Sequence, residues 1–154
     1  VRKTISFTVN GEKFTQDVEV GLSLLDLLRE EGLTSIKQGC GVGECGACTA
    51  LIDSIPIDTC MYLAVWADGK TIRTVEGEMC DGQISQVQQA YVDAGAVQCG
   101  YCTPGFIMTS TAFVEKHKGQ QVSRDLIRKE HAGNLCRCTG YETIICAVES
   151  CLKD

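Results

Sequence analysis

A chain of 154 residues has room for one ordinary domain or two small ones. Its net charge of −6 excludes nucleic acid and an anionic membrane surface as partners, because both require a basic face. With 44 % hydrophobic and 22 % charged residues the composition is globular, and eleven cysteines are far above ordinary usage.

The N-terminus, Val1-Arg2-Lys3-Thr4-Ile5-Ser6-Phe7, lacks the apolar segment of a secretory signal. The longest apolar run near the middle, 61–67, is too short to span a bilayer. A cytoplasmic protein that uses thiols as metal ligands is therefore expected, not a secreted disulfide scaffold.

Ile5, Phe7 and Val9 alternate with Thr4, Ser6 and Thr8, the period of a half-buried strand, and Asn10-Gly11 then predicts a tight hairpin. Phe14, Val18 and Val20 share one face of the returning strand, where Gln16 interrupts the apolar pattern. Ser23 is placed to cap a helix whose Leu24, Leu25, Leu27 and Leu28 form a wide apolar face, ending at Gly32.

Next comes Gly39-Cys40-Gly41-Val42-Gly43-Glu44-Cys45-Gly46-Ala47-Cys48, with Cys60 following after eleven further residues. The C-x4-C-x2-C spacing plus one later cysteine is the plant-type ligand pattern for a 2Fe–2S cluster. Thiolates converging from one short loop need a tightly bent backbone, which glycine permits, and bare N–H groups close to sulfur stabilise its negative charge. Structural zinc more often takes two separated cysteine pairs, and disulfides among cysteines this crowded would be strained. Short strands are expected at 49–52, 55–57 and 71–75, so the first part reads as a small sheet clasping one helix.

Between 76 and 83 the sequence turns polar and glycine-bearing, a domain boundary; beyond it strand signals vanish. Ile84, Val87, Ala90, Tyr91 and Ala94 recur at helical spacing. Thr103-Pro104 predicts a helix start with Thr103 as the cap, running to about His117. Ser123 caps a third helix to about His131, and a fourth covers about 141–152. The fold class is α+β: residues 1–76, a linker at 77–83, and a compact four-helix bundle at 84–154.

Cys99-Gly100-Tyr101-Cys102 precedes the Thr103 helix, and Cys136-Arg137-Cys138 lies between two others. Each alone is weak. Together they can build one four-thiolate site flanked by helix N-termini near Thr103 and Thr139, with iron–sulfur, zinc and a redox dithiol all open on spacing.

The three motifs in order, Lys37-x-Gly39-Cys40-x-x-Gly43-x-Cys45-Gly46-Ala47-Cys48-Thr49, Gln98-Cys99-Gly100-Tyr101-Cys102-Thr103-Pro104-Gly105 and Asn134-Leu135-Cys136-Arg137-Cys138-Thr139-Gly140-Tyr141, resemble those of the molybdenum hydroxylases. These include the xanthine dehydrogenase, nicotinate dehydrogenase, aldehyde oxidoreductase and carbon monoxide dehydrogenase relatives. The chain is similar to their separate small iron–sulfur subunit over nearly its whole length. The resemblance implies an N-terminal β-grasp, plant-type ferredoxin-like domain with Cys40, Cys45, Cys48 and Cys60 on one 2Fe–2S cluster. It implies a helical domain with Cys99, Cys102, Cys136 and Cys138 on a second. It implies that Gln98 contacts the pterin of a molybdenum cofactor held by a large partner subunit, where the bland alternative is that Gln98 caps the turn before the helix. FAD would sit in a medium partner subunit, and this chain would relay electrons between the two without catalytic residues of its own. Lys37-Gln38-Gly39-Cys40 and Met61-Tyr62-Leu63-Ala64 are most similar to subunits of hydroxylases acting on N-heterocycles, purines or nicotinate. A free-standing two-cluster ferredoxin and a zinc-stabilised adaptor are the rival functions.

Cys80, Cys146 and Cys151 match no ligand position. Cys146, among Ile144, Ile145, Ala147 and Val148, is expected to be buried; Cys80 and Cys151 are expected to be the exposed, oxidisable ones. His117 and His131 lie in charged segments and read as solvated. Trp66 reads as packing or interface. Arg137, between two candidate ligands, reads as either structural or tuning by its charge.

Overall fold

A computed structural model describes residues 1–153. Strands β1 (Arg2–Val9) and β2 (Glu12–Glu19) pair antiparallel with Val9 opposite Glu12, leaving Asn10 and Gly11 as the two-residue turn, both at positive φ. Ile5, Phe7 and Val9 turn inward as the alternation requires, and Phe7 stacks on Phe14 across the pair at 5.7 Å. Gln16 stays on the inner face at the sheet's rim, where its amide reaches the Glu31 carboxylate, so a polar residue sits there without a register slip.

Helix α1 (Leu24–Glu30) begins as expected, with Ser23 Oγ accepting the Asp26 N–H at 3.1 Å. It ends in a Schellman arrangement around Gly32, where Leu33 N–H reaches Leu28 O and Gly32 N–H reaches Arg29 O. Its four leucines are buried under the sheet. Strands β3 (Thr49–Ile52), β4 (Ile55–Asp58) and β5 (Thr71–Arg73) complete a five-stranded sheet of order β2-β1-β5-β3-β4, with β1 and β5 parallel and the other pairs antiparallel. The third of these is shorter than the sequence suggests, because residues 75–78 curl into a 3₁₀ turn.

The second half contains helices α2 (Gln86–Asp93), α3 (Thr103–His117), α4 (Arg124–Glu130) and α5 (Glu142–Leu152). Helix α2 starts after Ser85, in a capping box with Gln88, which leaves Ile84 outside it and exposed. Helix α3 starts earlier than expected: Cys102, not Thr103, occupies the cap position and donates no capping side chain. Gly105 to Thr111, Phe113 and Val114 are all buried, because α3 packs on β3 and β4 along one side and on α2 and α5 along the other. Two hydrophobic cores result, one between sheet and α1, the other among the four later helices. Arg73 on β5 bonds both Glu78 carboxylate oxygens (3.0 and 2.9 Å) and both of Glu115 on α3 (3.1 and 2.9 Å), tying the sheet to the far end of that helix.

His131 departs from its expected solvated role: it is 3 % exposed. Its Nδ1 donates to Ile127 O at 2.8 Å, so Nε2 must accept from the Ser110 hydroxyl at 3.0 Å, and Ser110 in turn accepts from Tyr91 at 2.7 Å. The charged sequence neighbours, Lys129 and Glu130, point outward while the ring packs between Phe106 and Phe113.

Burial holds the His131 pKa below its ordinary 6.5, so the unfolded chain binds this proton more readily than the folded one. Stability is therefore expected to fall as pH drops through about 6.5 and to level off below the depressed folded-state value. Thermal unfolding of the parent and of His131→Gln across that range checks this: the variant should be less stable by about 1–3 kcal/mol at neutral pH and show a shallower acid slope.

Candidate metal centres

The loop between α1 and β3 carries Cys40, Cys45 and Cys48, and Cys60 reaches it from a 3₁₀ turn at Thr59–Met61. Gly41 and Gly43 adopt φ of 70° and 74°, which turns the neighbouring N–H groups inward. Val42 and Glu44 N–H donate to Cys40 Sγ at 3.4 and 3.2 Å, and Cys40 N–H donates to Cys45 Sγ at 3.4 Å. Those backbone donors, Val42 first, bring the Cys40 thiol down to about 6. Cys48 is buried, and burial, with Cys60 as its immediate neighbour, pushes it up to about 12. Thr59 secures this second pair by donating its hydroxyl to Cys48 O at 2.8 Å.

The second set lines one cleft of about 620 Å³ that holds Cys99, Cys102, Cys136 and Cys138 together with Tyr101 and Arg137. Burial, then the adjacent Cys136 thiol, pushes Cys102 up to about 12. Burial acts on Cys136 in the same sense but is outweighed: the Thr139 hydroxyl at 3.1 Å and N–H at 3.5 Å both donate to its Sγ, so its pKa is lowered. Tyr141 accepts the Cys136 N–H at 3.1 Å and begins α5 from a left-handed conformation. Here a threonine side chain and loop amides do the work expected of a helix terminus at Thr139, since α5 starts only at Glu142. Sequence reasoning places Thr139 at a helix terminus and residue 141 at a helix start but gives neither side chain its bond in the Cys136 turn, although a threonine following C-x-C can bond back locally.

None of the eleven cysteines is in a disulfide. Among the described residues no group of three or more His, Cys, Asp or Glu is placed to hold a single metal ion. Six of the candidate thiols stand in adjacent pairs, Cys40 with Cys45, Cys48 with Cys60 and Cys102 with Cys136, and Cys99 and Cys138 share the cleft of the last pair. Paired thiolates are compatible with a binuclear iron–sulfur core. The N–H donors aimed at sulfur fit an anionic cluster as well.

The two sets are linked directly. Leu135 N–H donates to Cys45 O at 2.9 Å, and the Tyr101 hydroxyl donates to Gln38 O at 2.6 Å. Gln98 is exposed beside Cys99, and its side chain makes no hydrogen bond among the described residues, so it does not cap the turn. The expected roles of two spare cysteines are reversed. Cys146 is exposed beside Arg124, because it falls on the outer side of α5 while Ile144, Ile145, Ala147 and Val148 face in; Cys151, a further turn along, is buried. Cys80 is exposed as expected.

The 2Fe-2S iron-sulfur cluster binding domain model matches residues 7–65, and the [2Fe-2S] binding domain model matches 74–149. The iron-sulfur-binding subunit of xanthine dehydrogenase from Escherichia coli O157:H7 is 55 % identical over 150 residues, covering 97 % of this chain and 94 % of that protein. The chain belongs to the small iron–sulfur subunits of the molybdenum hydroxylases. The small FeS subunit of nicotinate dehydrogenase from Eubacterium barkeri is 50 % identical over 94 % of this chain and 92 % of that one. Quinoline 2-oxidoreductase from Pseudomonas putida 86 contains a chain of the same fold, with a TM-score of 0.89 at 44 % identity, covering 96 % of this chain and 90 % of that one. As a small iron–sulfur subunit this protein transfers electrons within an oxidoreductase complex, which sets aside the free-standing ferredoxin.

In the metal-free subunit the thiols should differ sharply in reactivity. With a pKa of about 6, Cys40 is mostly thiolate at neutral pH, whereas the buried Cys48 and the half-buried Cys102, both raised to about 12, stay protonated. Iodoacetamide labelling followed by peptide mass spectrometry should find Cys40 modified first, its rate rising with pH up to about 6 and flattening above. Equal labelling of Cys40 and Cys48 would contradict the loop geometry.

Proposed function

We propose that Cys40, Cys45, Cys48 and Cys60 hold one 2Fe–2S cluster, and Cys99, Cys102, Cys136 and Cys138 hold the other. The first belongs to a β-grasp domain at 1–76, the second to a four-helix bundle at 84–154, with 77–83 as linker. The observation that carries this reading is that Cys99, Cys102, Cys136 and Cys138 line one cleft, while Cys40 stands beside Cys45 and Cys48 beside Cys60, with N–H or hydroxyl donors on the sulfurs of Cys40, Cys45 and Cys136. When bound, each cluster supplies a one-electron relay. This chain's own residues fix where those relays sit and how much charge they tolerate. Val42, Glu44 and Thr139 donate to sulfur and so favour the more negative state, while Cys48, Cys60 and Cys102 provide shielded ligands.

On this reading the molybdopterin cofactor belongs to a large partner subunit and FAD to a medium one, and the assembly is cytoplasmic. Gln98 meets the pterin: a neutral amide with donor and acceptor both unspent, next to ligand Cys99, matches a heterocycle edge. Electrons then enter at the helical set and leave from the Cys40 loop. Xanthine, nicotinate and quinoline, named for the relatives, are all N-heterocycles, and the holoenzyme's substrate is assigned to that class.

About four irons and four acid-labile sulfides per chain are expected, with two distinct paramagnetic signals after dithionite reduction. Cys45→Ser should erase one signal and Cys102→Ser the other; a folded variant that lost both would refute the two-set assignment. In the assembled enzyme, Gln98→Ala should slow substrate-driven cluster reduction or loosen the molybdenum cofactor while iron content stays full. Unchanged cofactor content and unchanged reduction rates would rule out the contact.

A further inference from the structure

Between the two thiol sets lies a contact in which no side chain could be larger. Gly46, one residue after Cys45, has φ of 70°, and a Cβ there would stand 2.6 Å from Asn134 Nδ2 and 2.6 Å from Gly133 O. A Cβ on Gly105, three residues after Cys102, would overlap Gly46 O. Asn134, two residues before Cys136, is 5 % exposed and spends its amide across this junction. Its Nδ2 donates to Gly46 O at 3.1 Å and lies 3.4 Å from Thr49 Oγ1, while its Oδ1 accepts from Thr109 on α3 at 2.8 Å. One amide thus bonds the first thiol loop and the helix that follows the second, from a position inside the third motif.

We infer that Asn134 is a positioning residue that sets the separation of the two thiol sets, with Gly46 and Gly105 removing every atom that would hold them further apart. The inference rests on the cluster assignment above. Electron exchange between two fixed centres falls steeply with distance, so a relay built from two loops and a helix start must hold all three in register. A hydrogen-bonded surface contact would leave play; a buried amide with both ends satisfied, set against two Cβ-free backbones, does not. Helix α3 is held at its other end by Glu115 on Arg73, so it cannot pivot about the junction. Among the described residues the Asn134 side chain bonds Thr109, Gly46 and Thr49 and no sulfur, which separates this role from that of Thr139.

The test uses the assembled enzyme, comparing the parent with Asn134→Ala, which deletes both amide bonds, and Gly105→Ala, which deletes none but forces the loop off the helix. Iron and sulfide content are measured first, then the magnetic interaction between the two reduced clusters at low temperature and the rate of electron exchange between them. The expected result is parental iron content in both variants, each cluster's own signal retained, a weakened mutual splitting and exchange slowed several-fold. Unaltered splitting and exchange in a variant with full iron would overturn the inference. Iron loss in both variants would overturn it too, since Asn134 would then support cluster assembly and not spacing; if one variant alone loses iron, the other decides. A parent with only one reducible centre would instead overturn the cluster assignment.

Discussion

Helix α3 has almost no face left for water until its last turn, and most of the architecture follows from that. A helix buried on every side needs an apolar or internally satisfied surface all round, and this one combines large apolar residues with small polar ones, of which Thr109 and Ser110 are bonded and Thr111 Oγ1 has no partner among the described residues. Thr109 is bonded by Asn134, and Ser110 by Tyr91 and His131. Those partners come from α2 and from the turn that ends α4, while α3 packs on β3 and β4 along its other side, so one helix joins the sheet to the remaining helices. It also begins at Cys102, which makes the position of a thiol depend directly on the packing of a core.

The two thiol sets handle charge by different means. In the first, backbone N–H groups exposed by a glycine-rich loop favour the thiolate at Cys40. In the second, a threonine hydroxyl and amide do so at Cys136. Both sets also contain a thiol whose pKa is raised, the buried Cys48 in one and the half-buried Cys102 in the other. On the proposed ligand assignment, metal would have to displace a proton from each raised-pKa thiol, whereas the lowered-pKa partner in the same set gives up its proton more readily.

Local signals were the legible ones. The Asn10-Gly11 turn, the Ser23 cap, the leucine face and the strand alternation each depend on a few neighbouring residues, and all took the form their chemistry suggests. The candidate thiols were legible from spacing, and Gly46 and Gly105 stood inside recognisable motifs without their reason being visible. Asn134, Thr139 and Tyr141 act through contacts that only the folded chain creates. His131 was hidden by its charged neighbours, although the helical step that turns Lys129 and Glu130 outward turns the ring inward. The same step explains Cys146 and Cys151: an apolar run says that a helix is buried, while the phase of each residue says which side.

The sheet's outer strands bear on how such a subunit is recognised. One edge, β2, carries Glu12, Lys13, Asp17 and Glu19, with ion pairs from Arg2 drawn across it; the other, β4, contains Pro56, which has no N–H to offer. Charge and proline are the usual deterrents to strand addition. A partner that extended this sheet would have to bury carboxylates along one side or leave a hydrogen bond unmade along the other. Recognition by backbone pairing is thus disfavoured at both borders, and neighbours must read the molecule through its side chains, which discriminate between partners where an open strand would accept any extended chain.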